Sequence, residues 1–268
     1  MNIDKSIDHK LVIVTGANGA IGKAIVHQLA EKDYEVIMVC RDLSKAQEAK
    51  KEIIHKIPEA KIRIEIADLS RQSEIKSLAA RVNKPVFALV NNAASTPKKR
   101  TETPEGIEEQ FAANVLNYFW MSHAFHEHLE KSSNSRIVNV ASCWAGDLDP
   151  DDLEFKKRQY DNNIAYRQSK QANRMLTVSF AEKFKQNGIM VNACHPGEVN
   201  SKLSNSLGFG GSQSPDRGAE TPVLLATTKE QNSGKWYVSM KEQSCQFSKN
   251  KTAIEQLYEI CMKYSKRS

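Results

Sequence analysis

Tyr166 and Lys170 stand four residues apart in Ala165-Tyr166-Arg167-Gln168-Ser169-Lys170. On a helix that spacing puts a phenol and an ammonium on one face. A phenol of ordinary pKa, about 10, is a poor proton donor and acceptor at neutral pH. A neighbouring cation favours the phenolate and moves it towards the working range. The pair therefore reads as an acid–base couple in which Lys170 is also able to hold a ribose. Taken alone, Y-x-x-x-K is equally a common surface pairing.

A second group is suited to phosphate. Thr15-Gly16-Ala17-Asn18-Gly19-Ala20-Ile21-Gly22 follows the apolar run Leu11-Val12-Ile13-Val14 and precedes a helical stretch. Glycines there allow a tight turn and close approach of a pyrophosphate, and the helix start supplies unpaired N–H groups and a positive dipole end. The spacing is G-x-x-G-x-x-G, which differs from the common dinucleotide fingerprint. About 20 residues beyond the glycines, where an acid would hold the ribose hydroxyls of NAD, the chain reads Val39-Cys40-Arg41-Asp42. Arg41 can grip a 2′-phosphate through its planar fork, which favours NADP(H); the other reading is a surface arginine paired with Asp42 or Glu35. Asp68 and Leu69, after the third apolar run, are placed to touch adenine, although Asp68 reads equally well as a helix N-cap.

These residues need a scaffold that brings strand ends together. Strands are expected at 11–14, 36–39, 62–66, 86–90, 136–140, 189–193 and 236–238, separated by amphipathic stretches. Runs too apolar to face water, alternating with helices, indicate a parallel sheet covered on both faces. The fold class is α/β: a single doubly wound Rossmann-type domain over residues 1–268, with a parallel sheet of about seven strands. Residues 105–130 read as one extended helix, 165–185 as another, and 252–263 as a terminal one. Residues 146–163 form a polar excursion, and 201–222, rich in Gly, Ser and Pro, a mobile substrate loop with short helical turns.

With these motifs in order, the chain resembles the short-chain dehydrogenase/reductase family. The resemblance rests on Thr15–Gly22, Asn91-Asn92-Ala93-Ala94, Asn114, Ser142, Tyr166-x-x-x-Lys170 and Pro196-Gly197. Cys40-Arg41-Asp42, Ser135–Val140, Ala165–Asn173 and His195-Pro196-Gly197 look like its retinol dehydrogenase-like group. The resemblance implies a catalytic set of Asn114, Ser142, Tyr166 and Lys170. Ser142 would polarise the substrate oxygen, Tyr166 would exchange its proton, Lys170 would hold the nicotinamide ribose and stabilise the tyrosinate, and Asn114 would hold a relay water. Asn92 and Ala93 would line the cofactor, and Pro196, Gly197, Val199 and Ser201 would fix the nicotinamide amide. Two departures stand out: the family's middle glycine falls at Ala20, and the usual Asn-Asn-Ala-Gly ends in Ala94.

The implied activity is NADP(H)-dependent hydride transfer between nicotinamide and a carbonyl or alcohol of a lipophilic small molecule. The alternative is a non-catalytic NADP(H)-binding sensor or scaffold on the same fold. Trp144 and Phe209 are the candidate lipophilic wall of the substrate site; the other reading is that they, with Phe155 and Tyr160, only anchor loops. His123, His126 and His128 on the 105–130 helix are not expected to hold a metal, because His128 points away from the other two. His195, beside Pro196, is expected to be structural. By analogy the helices starting at 105 and 165 pair subunits, giving a homodimer or homotetramer.

Composition bounds the rest. The 268 residues carry a net charge of +6, with 26% charged and 40% hydrophobic, and a mean hydropathy of −0.53. No run approaches the roughly 18 apolar residues of a membrane span. Met1–Lys10 lacks the apolar core of a secretory signal, and a cytoplasmic location is expected. Cys40, Cys143, Cys194, Cys245 and Cys261 are too dispersed for a disulfide scaffold or zinc module. The basic clusters, Lys98-Lys99-Arg100 and Lys263 to Arg267, are short and without a base-stacking motif, so nucleic acid is not an expected partner.

Overall fold

Leu11–Thr15 (β1) is buried at every position, and its side chains alternate between the two cores of the molecule. Leu11 and Ile13 enter one and Val12 and Val14 the other, as period-two geometry requires of a strand covered on both faces. The computed structural model describes residues 10–266. Residues 1–9, and the Arg267 end of the C-terminal basic cluster, lie outside them.

The strands follow as Glu35–Cys40 (β2), Ile62–Ile66 (β3), Ala88–Asn91 (β4), Arg136–Val140 (β5), Met190–His195 (β6), Trp236–Val238 (β7) and Lys241–Gln243 (β8). They form one sheet of order β3-β2-β1-β4-β5-β6-β7-β8. The chain reverses its direction of winding between β1 and β4, and the carboxyl ends of these strands frame the crevice in which such sheets bind ligands. Seven strands are parallel, and β8 adds an antiparallel eighth that the sequence did not foretell. Its side chains Lys241, Glu242 and Gln243 are all exposed, so no apolar alternation marks it. The two-residue turn before it, Ser239-Met240, has both φ positive, at 49° and 64°. Asn-Gly or Asp-Gly is the usual signature of such a turn.

On one face lie Ala20–Glu31 (α1), Leu43–Lys56 (α2) and, further along the chain, Pro215–Thr227 (α9). α1 packs along α9, and Gln28 donates to the Asp216 carbonyl at 2.8 Å. α2 starts where Asp42 accepts from the Lys45 N–H and stops before Pro58. The other face carries Gln72–Arg81 (α3), then Glu109–Phe111 (α4), Asn117–Ala124 (α5), His126–Glu130 (α6), Asn162–Lys183 (α7) and Lys251–Ser265 (α10).

The expected helix over 105–130 is thus broken. It begins only at Glu109, where Glu108 caps the N–H groups of Gln110 and Phe111. It widens into a π-helical turn over Ala112–Leu116 and breaks again at Phe125. The expected loop over 201–222 is corrected too. Lys202–Ser206 (α8) is capped by Ser201, and residues from 215 onward already belong to α9, which continues through Pro222. Only the stretch between α8 and α9 is loop, and Gln213 there accepts from the Asn200 N–H and donates to the Glu198 carbonyl. α10 covers the outer side of α5 and α7: Tyr258 packs on Phe119 and Phe180, Tyr264 on Phe111, and Trp120 donates to Ser265.

Candidate active site

The glycine turn after β1 is fixed by its neighbours. The Gly16 N–H donates to the Val39 carbonyl at 2.9 Å, and φ at Gly16 is +62°. A Cβ on Gly16 would stand 2.9 Å from Ala93 Cα, and one on Gly22 2.2 Å from the Gly16 oxygen. Both positions therefore demand glycine. Thr15 ties this turn to the end of β4: its hydroxyl accepts from the N–H groups of Asn92 and Ala93, while the Asn92 amide donates to the Thr15 carbonyl. Asn92 thus braces the cradle rather than offering its amide to a ligand. α1 has no side-chain cap and no acid in its first turn, which leaves its N–H groups open to an anion.

A cleft of about 500 Å³ opens above this turn. Its wall holds Gly16, Asn18, Gly19, Ala20, Ile21, Gly22, Arg41, Asp68, Leu69, Asn92, Ala93 and Ser201 of the expected cofactor set, together with Ala94, Thr96, Lys202 and Ser206. Pro196, Gly197, Val199, Tyr166 and Lys170 are not on that wall. α8 closes one side of the cleft, with Ser206 hydrogen-bonded to Thr96 at 2.5 Å. A larger groove, about 1010 Å³, lies at the amino ends of β5–β7 and holds none of the expected site residues. The cleft over the glycine turn is the one with the chemistry of a dinucleotide site: glycines where a Cβ cannot fit, an uncapped helix start and a cation at the far end.

That cation is Arg41. It is exposed just past β2, and both acids proposed as its surface partners are engaged elsewhere. Asp42 pairs with Lys45 at 2.9 Å, and Glu35 with Lys84 at 2.8 Å. Among the described residues Arg41 has no ion-pair partner. Asp68 is not the N-cap of α3, a place taken by Arg71. Its carboxylate instead accepts from the Ser70 N–H and hydroxyl at 3.1 and 2.7 Å, a local turn at the cleft edge.

The reacting residues converge beside β5. Tyr166 and Lys170 lie on one face of α7, which starts where Asp161 accepts from the Asn163 and Ile164 N–H groups. Ser142, two residues beyond β5, is the side chain that favours the ionised Tyr166 phenol, and its hydroxyl accepts from the Trp144 N–H at 3.0 Å. The expectation that Lys170 lowers the Tyr166 pKa is not met in this state. Burial pushes the phenol up to about 12, opposed only by the neighbouring Ser142 side chain. Lys170, 2% exposed, donates instead to the Val140 carbonyl at 3.0 Å, its nitrogen 5.6 Å from the Tyr166 ring centroid. Burial brings its pKa down to about 8.

Asn114 sits inside the π-helical turn, fully buried. Its amide donates to the Ser95 carbonyl and the Ser169 hydroxyl at 3.0 and 3.3 Å, and its oxygen accepts from the Ser95 N–H at 2.7 Å. Ser169 in turn donates to the Tyr166 carbonyl at 2.7 Å. The side chain therefore clamps the loop after β4 to α7, and π-turns of this kind recur at functional sites. Ser95, Ser169 and Thr15 brace the site through these hydrogen bonds, roles that their residue types and spacing did not signal.

Trp144 and Phe209 meet edge-on at 5.0 Å, and Trp144 lies 5.8 Å from the Tyr166 ring. Phe155 and Tyr160 do not join them. They meet edge-on at 5.3 Å, with Phe155 buried and the Tyr160 hydroxyl donating to the Pro97 carbonyl, so they anchor the 146–163 excursion. His195 accepts the Cys143 N–H at 3.4 Å. His123 packs against Phe119 and Phe180, where burial lowers its pKa to about 4, and His128 hydrogen-bonds the Val82 carbonyl. Cys40, Cys194 and Cys261 are buried, Cys143 is exposed, and all five cysteines are free thiols.

The family model for short chain dehydrogenase matches residues 10–208. Retinol dehydrogenase 13 of Mus musculus is 33% identical over 261 residues, covering 89% of this chain and 78% of that protein. Retinol dehydrogenase 12 of Mus musculus is 30% identical over 271 residues, covering 95% and 85%. Among solved structures, an uncharacterized protein from Mycobacterium Paratuberculosis superposes with a TM-score of 0.81 at 23% identity, covering 96% of this chain and 93% of that one. Actinorhodin polyketide ketoreductase with NADPH gives 0.68 at 22% identity, covering 86% and 95%. At these identities the structures speak for the fold.

Proposed function

The chain belongs to the short-chain dehydrogenase family, in its retinol dehydrogenase-like group, and from that premise we propose that it is an NADP(H)-dependent carbonyl reductase of lipophilic small molecules. Oxidoreduction between an alcohol and a carbonyl with a nicotinamide cofactor comes with the family. The preference for NADP(H), the proton donor and the substrate class are inferred from the residues of the site. The observation that carries it is the union of an exposed Arg41, without an ion-pair partner among the described residues, on the wall of the glycine-turn cleft with a buried Tyr166 whose ring lies 5.6 Å from the Lys170 nitrogen.

In this reading Gly16, Gly19 and Gly22 let the pyrophosphate reach the start of α1, and Arg41 takes the 2′-phosphate. Bound nicotinamide supplies the hydride. Ser142 holds the substrate oxygen, and Tyr166, kept protonated by burial, donates the proton as the alcohol forms. Lys170 turns to the ribose, bringing its charge towards the phenol. Trp144 and Phe209 press on the apolar part of the substrate. We place the activity in the cytoplasm, where a reduced NADP(H) pool drives it towards alcohol; no helix among the described residues is long and apolar enough to cross a membrane.

The test is NADPH consumption over a panel of aldehydes, ketones and quinones, with Tyr166→Phe beside the native chain. Loss of turnover by about 10²–10⁴ with NADPH binding retained supports the reading. Tight NADPH binding with no turnover on any substrate by the native chain favours a sensor or scaffold.

A further inference from the structure

The Val140 carbonyl oxygen at the end of β5 accepts from two buried donors at once. The Tyr118 hydroxyl and the Lys170 ammonium each lie 3.0 Å from it. Tyr118 comes from α5 and Lys170 from α7, so two helices converge on one main-chain atom. The ammonium also stands 5.4 Å from the Tyr118 ring centroid and 5.6 Å from that of Tyr166. It is packed between two phenols, only one of which belongs to the acid–base pair. The other titratable group facing it is the Cys194 thiol of β6.

A carbonyl oxygen has two lone pairs, and two donors on it draw on the same electron density. A hydrogen bond to a charged group stabilises the charged form. By occupying part of the acceptor, Tyr118 weakens the hold of Val140 on the ammonium. We propose that Tyr118 is a positioning residue for Lys170: by sharing the Val140 oxygen it keeps the resting ammonium loosely held and ready to turn to the cofactor ribose and Tyr166. This rests on the NADP(H)-dependent reading above.

Tyr118→Phe removes the competing donor and keeps the ring, and Val140 retains Lys170 as partner. 3-Fluorotyrosine at position 118 keeps the shape and makes the hydroxyl a stronger donor. The first readout needs no cofactor: the titration of the Lys170 side chain followed by NMR in the ligand-free protein. Its midpoint, about 8 in the native chain, rises by about half a pH unit in the phenylalanine variant, the size expected for a change in one hydrogen bond. It falls in the fluorotyrosine variant. The second readout is NADPH affinity against pH by nicotinamide fluorescence, expected to weaken about threefold at pH 7 in Tyr118→Phe. Thermal unfolding checks that each variant folds, and the fluorotyrosine chain carries the test if the phenylalanine one does not. A Lys170 midpoint unmoved by either change overturns the proposal whatever NADPH does. Shifted midpoints in a chain that binds no NADPH overturn the cofactor reading, and with it the step from a loosely held ammonium to the ribose.

Discussion

Lys170 directs its ammonium at the Val140 carbonyl, 3.0 Å away, and not at the phenol one helical turn before it. The helix fixes which face the pair shares, but a lysine side chain has four rotatable bonds and goes to whichever acceptor relieves its burial. Its lowered pKa makes this a stability statement. Between about 8 and the ordinary value of 10.5 the unfolded chain binds a proton that the folded chain does not. In that window the lysine's contribution to stability rises with pH. Below about 8 the full burden of the buried charge is present. Lys170→Met, similar in length and uncharged, is therefore expected to raise Tm at pH 6–7 and to lose this advantage as pH approaches 10.5. It should abolish turnover at every pH. Paired melting curves of the two chains across pH 6–10 check this; a Tm difference that grows with pH contradicts it.

The strands and the glycine turn were legible because burial on both faces leaves solid apolar runs, and because Gly16 and Gly22 have no room for a side chain. What the sequence hid has physical causes. β8 carries only Lys241, Glu242 and Gln243, since an edge strand exposed to water needs no apolar pattern. The π-turn at Asn114 inserts no breaker residue, so the periodicity from 105 to 130 reads as one helix. Val140 acts through its carbonyl, and a main-chain acceptor has no side-chain signature at all.

Arg41 has neither of its nearby acids free to pair with it, which makes its role separable from stability. Arg41→Ala should leave Tm unchanged and weaken NADPH binding about tenfold or more, the usual worth of hydrogen bonds to a charged group. NADH binding should hardly move. Fluorescence titration with both cofactors measures the ratio, and equal losses for NADH and NADPH would remove Arg41 from the 2′-phosphate.

The subunit pairing expected by analogy would use the helices that α10 covers here. Tyr258 hydrogen-bonds His123 at 3.1 Å and packs on Phe119, and Trp120 reaches Ser265. A face already buried within one chain has little to offer a second copy. The protein is expected to run as a monomer of 30.1 kDa by light scattering. Tyr258→Asp, which loosens α10, should lower Tm and promote self-association; a native dimer whose interface includes α5 and α7 would refute the argument.

Phe209 is 40% exposed in the short loop after α8, yet its ring meets Trp144 at 5.0 Å, and Trp144 lies 5.8 Å from Tyr166. An exposed aromatic contributes little to the core, so Phe209→Ala should cost less than about 1 kcal/mol of stability. If the ring instead covers the apolar part of a bound substrate, its removal loses contact made equally in the ground and transition states. KM for long-chain or polycyclic carbonyls should then rise about tenfold while kcat stays nearly constant. Small carbonyls, which do not reach the ring, should show no change. The contrast between large and small substrates carries the test. A fall in kcat for both classes would place Phe209 in support of Trp144 and Tyr166 rather than in the substrate wall.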